Sequence, residues 1–169
     1  MFVKNWYSGI SGQLNALSTV PVRNTAGTLV NVLGEYFRFS GVSLKSWFCA
    51  LLDVRTVYNT YGGVIFGTGT TPPTMDDYKL SGEIIKTLVS SASCVTSVDD
   101  DGITVTTTYT LTNTSDKEIT IGEIAAFTAA GSTTNSVMMD RTVLDTPVTI
   151  EPGGVGQITY SIRMNYPTA

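Results

Sequence analysis

Any catalytic chemistry in this chain would have to come from carboxylates, because the sequence has no histidine and only two cysteines. Without an imidazole, neither a Ser-His-Asp nor a Cys-His arrangement can be assembled from the chain alone, and two distant cysteines are too few donors for zinc. Two groupings have the residue types for general acid/base work: Asp76, Asp77 and Glu83, and, further on, Glu118 and Glu123. Nothing in their spacing brings a pair to a cleft. Thr74 reads as the N-cap of a short helix over Met75-Asp-Asp-Tyr-Lys79. Asp76 and Asp77 would then be first-turn acids, each complementing the helix dipole by about 0.3 to 1 kcal/mol. No catalytic, cofactor-binding or metal residue is expected, and the chain reads as a non-enzyme.

Three further stretches imitate binding motifs. Gly67-Thr-Gly-Thr-Thr-Pro72 follows a strand-like run and begins as a dinucleotide fingerprint does, but Pro72 replaces the third glycine and no helix of useful length follows. It is expected to be a glycine loop that turns the chain sharply, its exit stiffened by Pro72 and Pro73. Asp99-Asp-Asp-Gly102 has consecutive acids where a calcium loop alternates them, and Thr110 stands where an EF-hand needs its twelfth-position glutamate. A tight hairpin turn is the better reading. Asn113-Thr-Ser115 fits the glycosylation triplet, but no apolar signal segment opens the sequence, so coincidence in a turn is expected.

The cysteines sit in unlike contexts, Cys49 in Trp47-Phe-Cys-Ala-Leu-Leu52 and Cys94 in Ser90-Ser-Ala-Ser-Cys-Val95. They are either one disulfide or two free thiols acting as small hydrophobes, and a reducing cytoplasm favours the thiols. Trp6, Tyr7, Trp47, Phe48, Tyr58 and Tyr61 crowd into the N-terminal portion. Such rings serve either as a sugar platform or as packing onto the domain and its neighbours. Packing is the reading adopted, and these six residues are the expected assembly interface.

The elements that must carry these residues are mostly strands. In Ile103-Thr-Val-Thr-Thr-Thr-Tyr-Thr-Leu-Thr-Asn113, Ile103, Val105, Tyr109 and Leu111 fall on one face and threonines on the other, the pattern of a half-buried antiparallel strand. A second clean alternation puts Ile158, Tyr160, Ile162 and Met164 inward and Thr159, Ser161 and Arg163 outward. Ile119-Thr-Ile121 slips at Gly122-Glu123 before Ile124, as a β-bulge at Gly122 would explain. Val137 to Leu144 is another apolar-rich run, and Glu151-Pro-Gly-Gly154 has the chemistry of a type II turn.

Before Gly63 the signals differ. Phe2, Val3, Trp6, Tyr7, Ile10, Leu14 and Leu17 recur at helical spacing, although Gly9 and Gly12 weaken an amphipathic helix there. Val20-Pro-Val-Arg and Thr28-Leu-Val-Asn-Val flank Asn24-Thr-Ala-Gly27 as a hairpin would. Tyr36-Phe-Arg-Phe39 reads as a strand, and Ser43 to Tyr58 fits either a buried helix or a core strand. The expected organisation is an N-terminal elaboration, residues 1–62, with helix, hairpin and aromatic-rich segment, followed by a sandwich domain, residues 63–169. The fold class is mainly β: an antiparallel β-sandwich of immunoglobulin-like or jelly-roll type with an N-terminal α/β elaboration.

Composition bounds the partners. Apolar residues make up 42% and charged residues only 14%, so much of the surface falls to Ser, Thr, Asn and Gly, which suits burial against neighbours. A net charge of −4 with no Lys/Arg cluster argues against nucleic acid, whose binding comes from several cations tracking the backbone. No apolar run approaches the roughly 20 residues of a membrane-spanning helix, so no membrane partner is expected.

Val64-Ile-Phe-Gly-Thr-Gly-Thr-Thr-Pro-Pro-Thr-Met-Asp-Asp-Tyr-Lys-Leu80 resembles a segment of small structural proteins of tailed-bacteriophage particles. Thr110 to Ile124, Met139 to Leu144 and Val148 to Gly154 resemble the succeeding strands and turns of that type, so that the likeness runs from about Val64 to Met164. The resemblance implies a virion component in the tail, neck or head-decoration layer, made in the host cytoplasm. Its partners would be other copies of itself and other virion proteins. The alternative is a receptor- or carbohydrate-binding module that meets a host-surface glycan through the aromatic cluster or the Gly67 to Pro73 loop.

Overall fold

The computed structural model describes residues 1–8, 19–33, 54–55, 63–129 and 136–166. Nine strands are described: β1 (Thr19–Arg23), β2 (Leu29–Leu33), β3 (Val54–Arg55), β4 (Gly63–Gly67), β5 (Leu88–Asp99), β6 (Gly102–Asn113), β7 (Ile119–Ala129), β8 (Ser136–Ile150) and β9 (Val155–Asn165). They form a β1-β2 hairpin, a four-stranded sheet in the order β3-β4-β7-β8 and a three-stranded sheet in the order β5-β6-β9. Only the short β3-β4 pairing is parallel. The protein is a mainly β, antiparallel sandwich, and residues 4–8 are its one short described helix.

The core between the sheets follows from alternation. From β6 come Val105, Tyr109 and Leu111, from β9 Ile158, Tyr160 and Ile162, and from the facing sheet Val64, Phe66, Ile121, Ile124, Ala126, Val137 and Met139. Burying side chains of this kind stabilises by about 1.5 to 3 kcal/mol each. The Phe66 and Tyr109 rings meet edge-on, with centroids 5.4 Å apart. Trp6, Val20 and Val22 lie in this same core, so the described part of the N-terminal elaboration shares it. Thr107 also points inward and is fully buried, although threonines were expected to fill only the outward face.

The four-stranded sheet is covered on its other face too. Ile65, Ala125, Phe127 and Met138 pack there beneath Val3, Leu80 and the half-buried Ile84, the last two from the long connection between β4 and β5. That is why residues 136–141 of β8 are buried without alternation.

Local chemistry sets the turns. Asn24 Oδ1 accepts from the N–H of Ala26 (3.1 Å) and Thr28 (2.9 Å), and Gly27 takes the left-handed φ of 82° that closes the expected hairpin. In Glu151-Pro-Gly-Gly154 the Gly154 N–H reaches Glu151 O at 2.8 Å and Gly153 has φ 71°, a type II turn. Asp99 Oδ1 accepts from the N–H of Asp101 and Gly102, closing the β5-β6 turn. The β7-β8 register shifts between Ile121 and Glu123, as expected, but the extra residues are on β8: Ile121 pairs with Val148 and Glu123 with Val143, so Leu144 to Pro147 face Gly122 alone. Proline there fits an edge strand.

One expectation is corrected. Met75 to Lys79 is a turn and not a helix: Thr74 N–H and Oγ1 both donate to the Asp77 carboxylate, and Asp77 N–H returns to Thr74 O. The Ser-rich stretch before Asp99, to which the sequence assigns no element, is the twelve-residue strand β5, paired with β6 throughout. The expected opening helix is a single turn over its described part, with residues 9–18 outside the described residues. The strand expected at Tyr36 to Phe39 lies outside them too, as does the segment from Ser43 to Tyr58 except for β3.

Candidate functional site

The densest group of ionisable side chains lies under the connection between β4 and β5. Glu123 follows Gly122 on β7, where the register with β8 shifts, and Arg141 is on β8 in the next strand; both point to the outer face of the four-stranded sheet, where Glu123 is 0% and Arg141 1% exposed. Arg141 Nε donates to Glu123 Oε2, Nη1 to Asp77 Oδ2, and Nη2 to Thr71 O and Ser81 Oγ, each at 2.7 Å. The remaining capacity of Glu123 is filled by the same connection. Its Oε1 accepts from the N–H of Gly69 (3.1 Å) and Gly82 (2.7 Å), and Oε2 from Ser81 N–H (3.2 Å).

Glycine is required here for close approach. A Cβ on Gly69 would lie 2.1 Å from Ser81 Oγ and 2.2 Å from Glu123 Oε1. Neither Gly67 nor Gly69 of the expected glycine loop has positive φ.

The electrostatics suit a clasp. Burial alone would raise the Glu123 carboxyl, but the N–H groups of Gly82 and Ser81 and the Arg141 guanidinium outweigh it and hold the group below the usual carboxylate range. Asp77 is likewise lowered, its desolvation outweighed by Thr74 and Arg141. A general acid at neutral pH needs the opposite shift. The sequence had set Asp77 and Glu123 in separate groupings, and the fold brings them together on one guanidinium. Of the other candidates, Glu83 and Glu118 are exposed, and Asp76 pairs with Lys4 at the surface. Among the described residues no group of three or more His, Cys, Asp or Glu could hold a metal ion.

A second buried carboxylate, Asp140, accepts from the Tyr160 hydroxyl and from Thr142 Oγ1, and lies 3.0 Å from the Met1 backbone nitrogen. Asn113 of the triplet is fully buried, its Nδ2 donating to Lys117 O and Ile150 O and its Oδ1 accepting from Ser115 N–H and Oγ. The amide that a glycan would modify is thus already committed inside the fold.

Of the six aromatic residues expected at an assembly interface, Trp6 is 5% exposed and stacks on Phe2, with centroids 4.5 Å apart, whereas Tyr7 is 53% exposed. Trp47, Phe48, Tyr58 and Tyr61 lie outside the described residues. Cys94 is a free thiol, half-buried on β5, and Cys49 lies outside the described residues.

Among the described residues, the outward face of β5-β6-β9 is a broad surface of uniform chemistry. The registers place Ser97-Thr104-Arg163, Val95-Thr106-Ser161, Ser93-Thr108-Thr159 and Ser91-Thr110-Gln157 in successive rows across it. Thr106 and Ser161 hydroxyls bond at 3.0 Å, and the Arg163 guanidinium is held by both oxygens of Asp99 and by Thr104. Asp99 is lowered to about 2, chiefly by that bond with Arg163. The face is otherwise uncharged, and it carries exposed Val95 and Val155. Comparisons of the chain with protein-family models, with curated proteins and with solved structures return no match.

Proposed function

We propose that the protein is a non-enzymatic structural component of a bacteriophage virion, in the tail, neck or head-decoration layer, acting through contacts with copies of itself and with other virion proteins. The observation that carries the reading is the β5-β6-β9 face: rows of Ser and Thr hydroxyls with one internally neutralised charge pair and exposed valines. Hydroxyl rows pair with a neighbour's polar groups without the desolvation cost of charges, so such a face can be buried over a large area. The resemblance of Val64 to Leu80 to small tailed-phage structural proteins supports the same reading. The densest group of ionisable side chains is committed inside the chain, with Glu123, Asp77 and Arg141 holding the β4-β5 connection in place.

Mass spectrometry of gradient-purified phage particles tests it. The chain is expected at a fixed stoichiometry to known particle proteins and to persist through repeated banding; its absence from intact particles refutes the reading. The alternative of a glycan-binding module draws on exposed Tyr7 and is tested by binding of the isolated protein to host-surface glycans.

A further inference from the structure

We infer that β5 is an open docking edge at which a second copy of this chain adds its own β5, antiparallel and about a two-fold axis, joining two three-stranded sheets into one of six. This rests on the assembly reading above and names the surface that reading leaves open.

An edge strand exposes unpaired N–H and C=O groups, and proteins blunt it with shortness, proline, bulges, charges or a covering segment. In the four-stranded sheet, β3 is two residues long. Its opposite edge, β8, carries Pro147 and two register shifts and is bonded by the opening segment, Val3 N–H to Met139 O at 3.1 Å and Arg141 N–H to Met1 O at 3.2 Å. In the other sheet, β9 carries one charge, Arg163, whose guanidinium reaches across β6 to Asp99 at 2.8 Å. Among the described residues β5 has none of these devices: twelve residues in unbroken register, no proline, no charge from Leu88 to Val98 and no described segment over its outer edge. Ser93 and every residue from Val95 to Asp99 are exposed.

The register shows which groups are open. Thr114 N–H donates to Thr87 O at 2.9 Å, and these residues are directly opposite by the β5-β6 register. In an antiparallel pair, hydrogen-bonded and non-bonded positions alternate. The odd-numbered residues of β5 therefore bond β6, while Ser90, Ala92, Cys94, Thr96 and Val98 turn their N–H and C=O to the free edge.

The occupant follows from charge. An uncharged strand pairs with an antiparallel copy of itself without setting like charges opposite each other, which would destabilise a cross-strand pair. The two Asp99 residues would lie at opposite ends of the joint. Two-fold pairing also consumes both open edges at once and closes the assembly, as the commonest symmetric oligomers do.

The test uses Thr96→Pro, which removes an outward N–H and leaves the β5-β6 ladder intact, because proline is tolerated where the N–H faces away from the sheet. Ser93→Lys leaves the backbone untouched and places a charge beside the joint. Light scattering of the untagged protein over a concentration series is expected to give twice the 18.1 kDa chain mass. Both variants are expected at the mass of one chain with unchanged circular dichroism; should Thr96→Pro not fold, Ser93→Lys decides. Amide exchange in the unmodified protein should show Cys94 and Thr96 protected at high concentration and fast on dilution. If the protein assembles and the folded variants assemble equally, this edge is not the joint, although assembly stands. An oligomer larger than a dimer overturns the two-fold pairing in favour of head-to-tail addition, and a strict monomer at all concentrations overturns both the edge and self-assembly.

Discussion

Replacing Glu123 with glutamine isolates the clasp under the β4-β5 connection, because the amide keeps the side chain's shape and removes only its charge and half of its acceptor capacity. The carboxylate takes hydrogen bonds from Gly69, Gly82, Ser81 and Arg141. Whichever oxygen becomes the NH2 then points a donor at donors: Gly69 and Gly82 on one side, Ser81 and Arg141 on the other. Each buried polar group left unsatisfied costs about 1 to 3 kcal/mol. Breaking one member of a buried ion pair costs about 3 to 5 kcal/mol in total. For a domain of this size that lowers Tm by roughly 6 to 20 °C. Urea unfolding followed by circular dichroism measures it, with Glu118→Gln at an exposed position as the control, expected within about 0.5 kcal/mol of the unmodified protein. The pH dependence supplies a second reading. A carboxyl depressed in the folded state adds stability that is present above its unfolded value and is lost as pH falls through the folded one. The acid limb below about pH 4.5 should therefore be shallower in Glu123→Gln. The double variant Glu123→Leu with Arg141→Met should lose less than the sum of its singles, since neither Glu123 nor Arg141 is then left as a buried charge facing a vacated partner, while Asp77 loses its cation equally in the double and in the Arg141 single. A loss below about 1 kcal/mol for Glu123→Gln would refute the clasp as a determinant of stability.

Two further outcomes are expected. Gly69→Ala should destabilise by about 1 to 3 kcal/mol, the usual cost of overpacking, because its Cβ would collide with Ser81 Oγ, Glu123 Oε1 and Gly82 N; unchanged urea unfolding would show that the loop yields freely. In an alkaline absorbance titration, Tyr160 should stay neutral until the fold is lost, because burial and the Asp140 charge raise its hydroxyl well above the ordinary value. Its stabilising contribution is present below the ordinary tyrosine range near pH 10 and is lost as pH rises beyond it. The curves of the unmodified protein and Tyr160→Phe should coincide up to the unfolding pH, and an early difference between them would contradict this placement.

Strands with strong binary patterns were legible in the sequence, and so were turns whose residues have a stereochemical reason. β9, the Asn24-Gly27 hairpin and the Pro152-Gly153 turn belong to that class. β5 was not, because Ser, Ala and Cys carry little β preference of their own, and its strand character is set by pairing with the threonine-rich β6. Thr74 to Asp77 has the composition of a helix start, but the side-chain bonds that would cap a helix close a turn there, and Asp77 is drawn to Arg141. The clasp itself left one readable trace. Asp140 and Arg141 interrupt the apolar run from Val137 to Leu144, and a charged pair inside such a run calls for buried partners. Which partners those are depends on the fold: Glu123 lies on the neighbouring strand, and Asp77 comes from a connection sixty-four residues earlier in the chain.

The clasp also bears on the choice between a structural part and a binding module. The connection between β4 and β5 covers one face of a sheet with few apolar groups of its own, chiefly Leu80 and Ile84, and hydrogen bonds to Glu123 and Arg141 supply the rest of its hold. Thr68 adds reciprocal bonds with Glu83, backbone N–H to O at 3.1 Å and Oγ1 from the Glu83 N–H at 3.1 Å. A loop fixed at Gly69, Thr71, Asp77, Ser81 and Gly82 has little freedom to close around a sugar. A glycan-binding role would therefore have to use a surface other than Gly67 to Pro73. Such a loop suits the proposed assembly, because a rigid outer layer presents the same shape to every neighbour and loses little conformational entropy when it is buried.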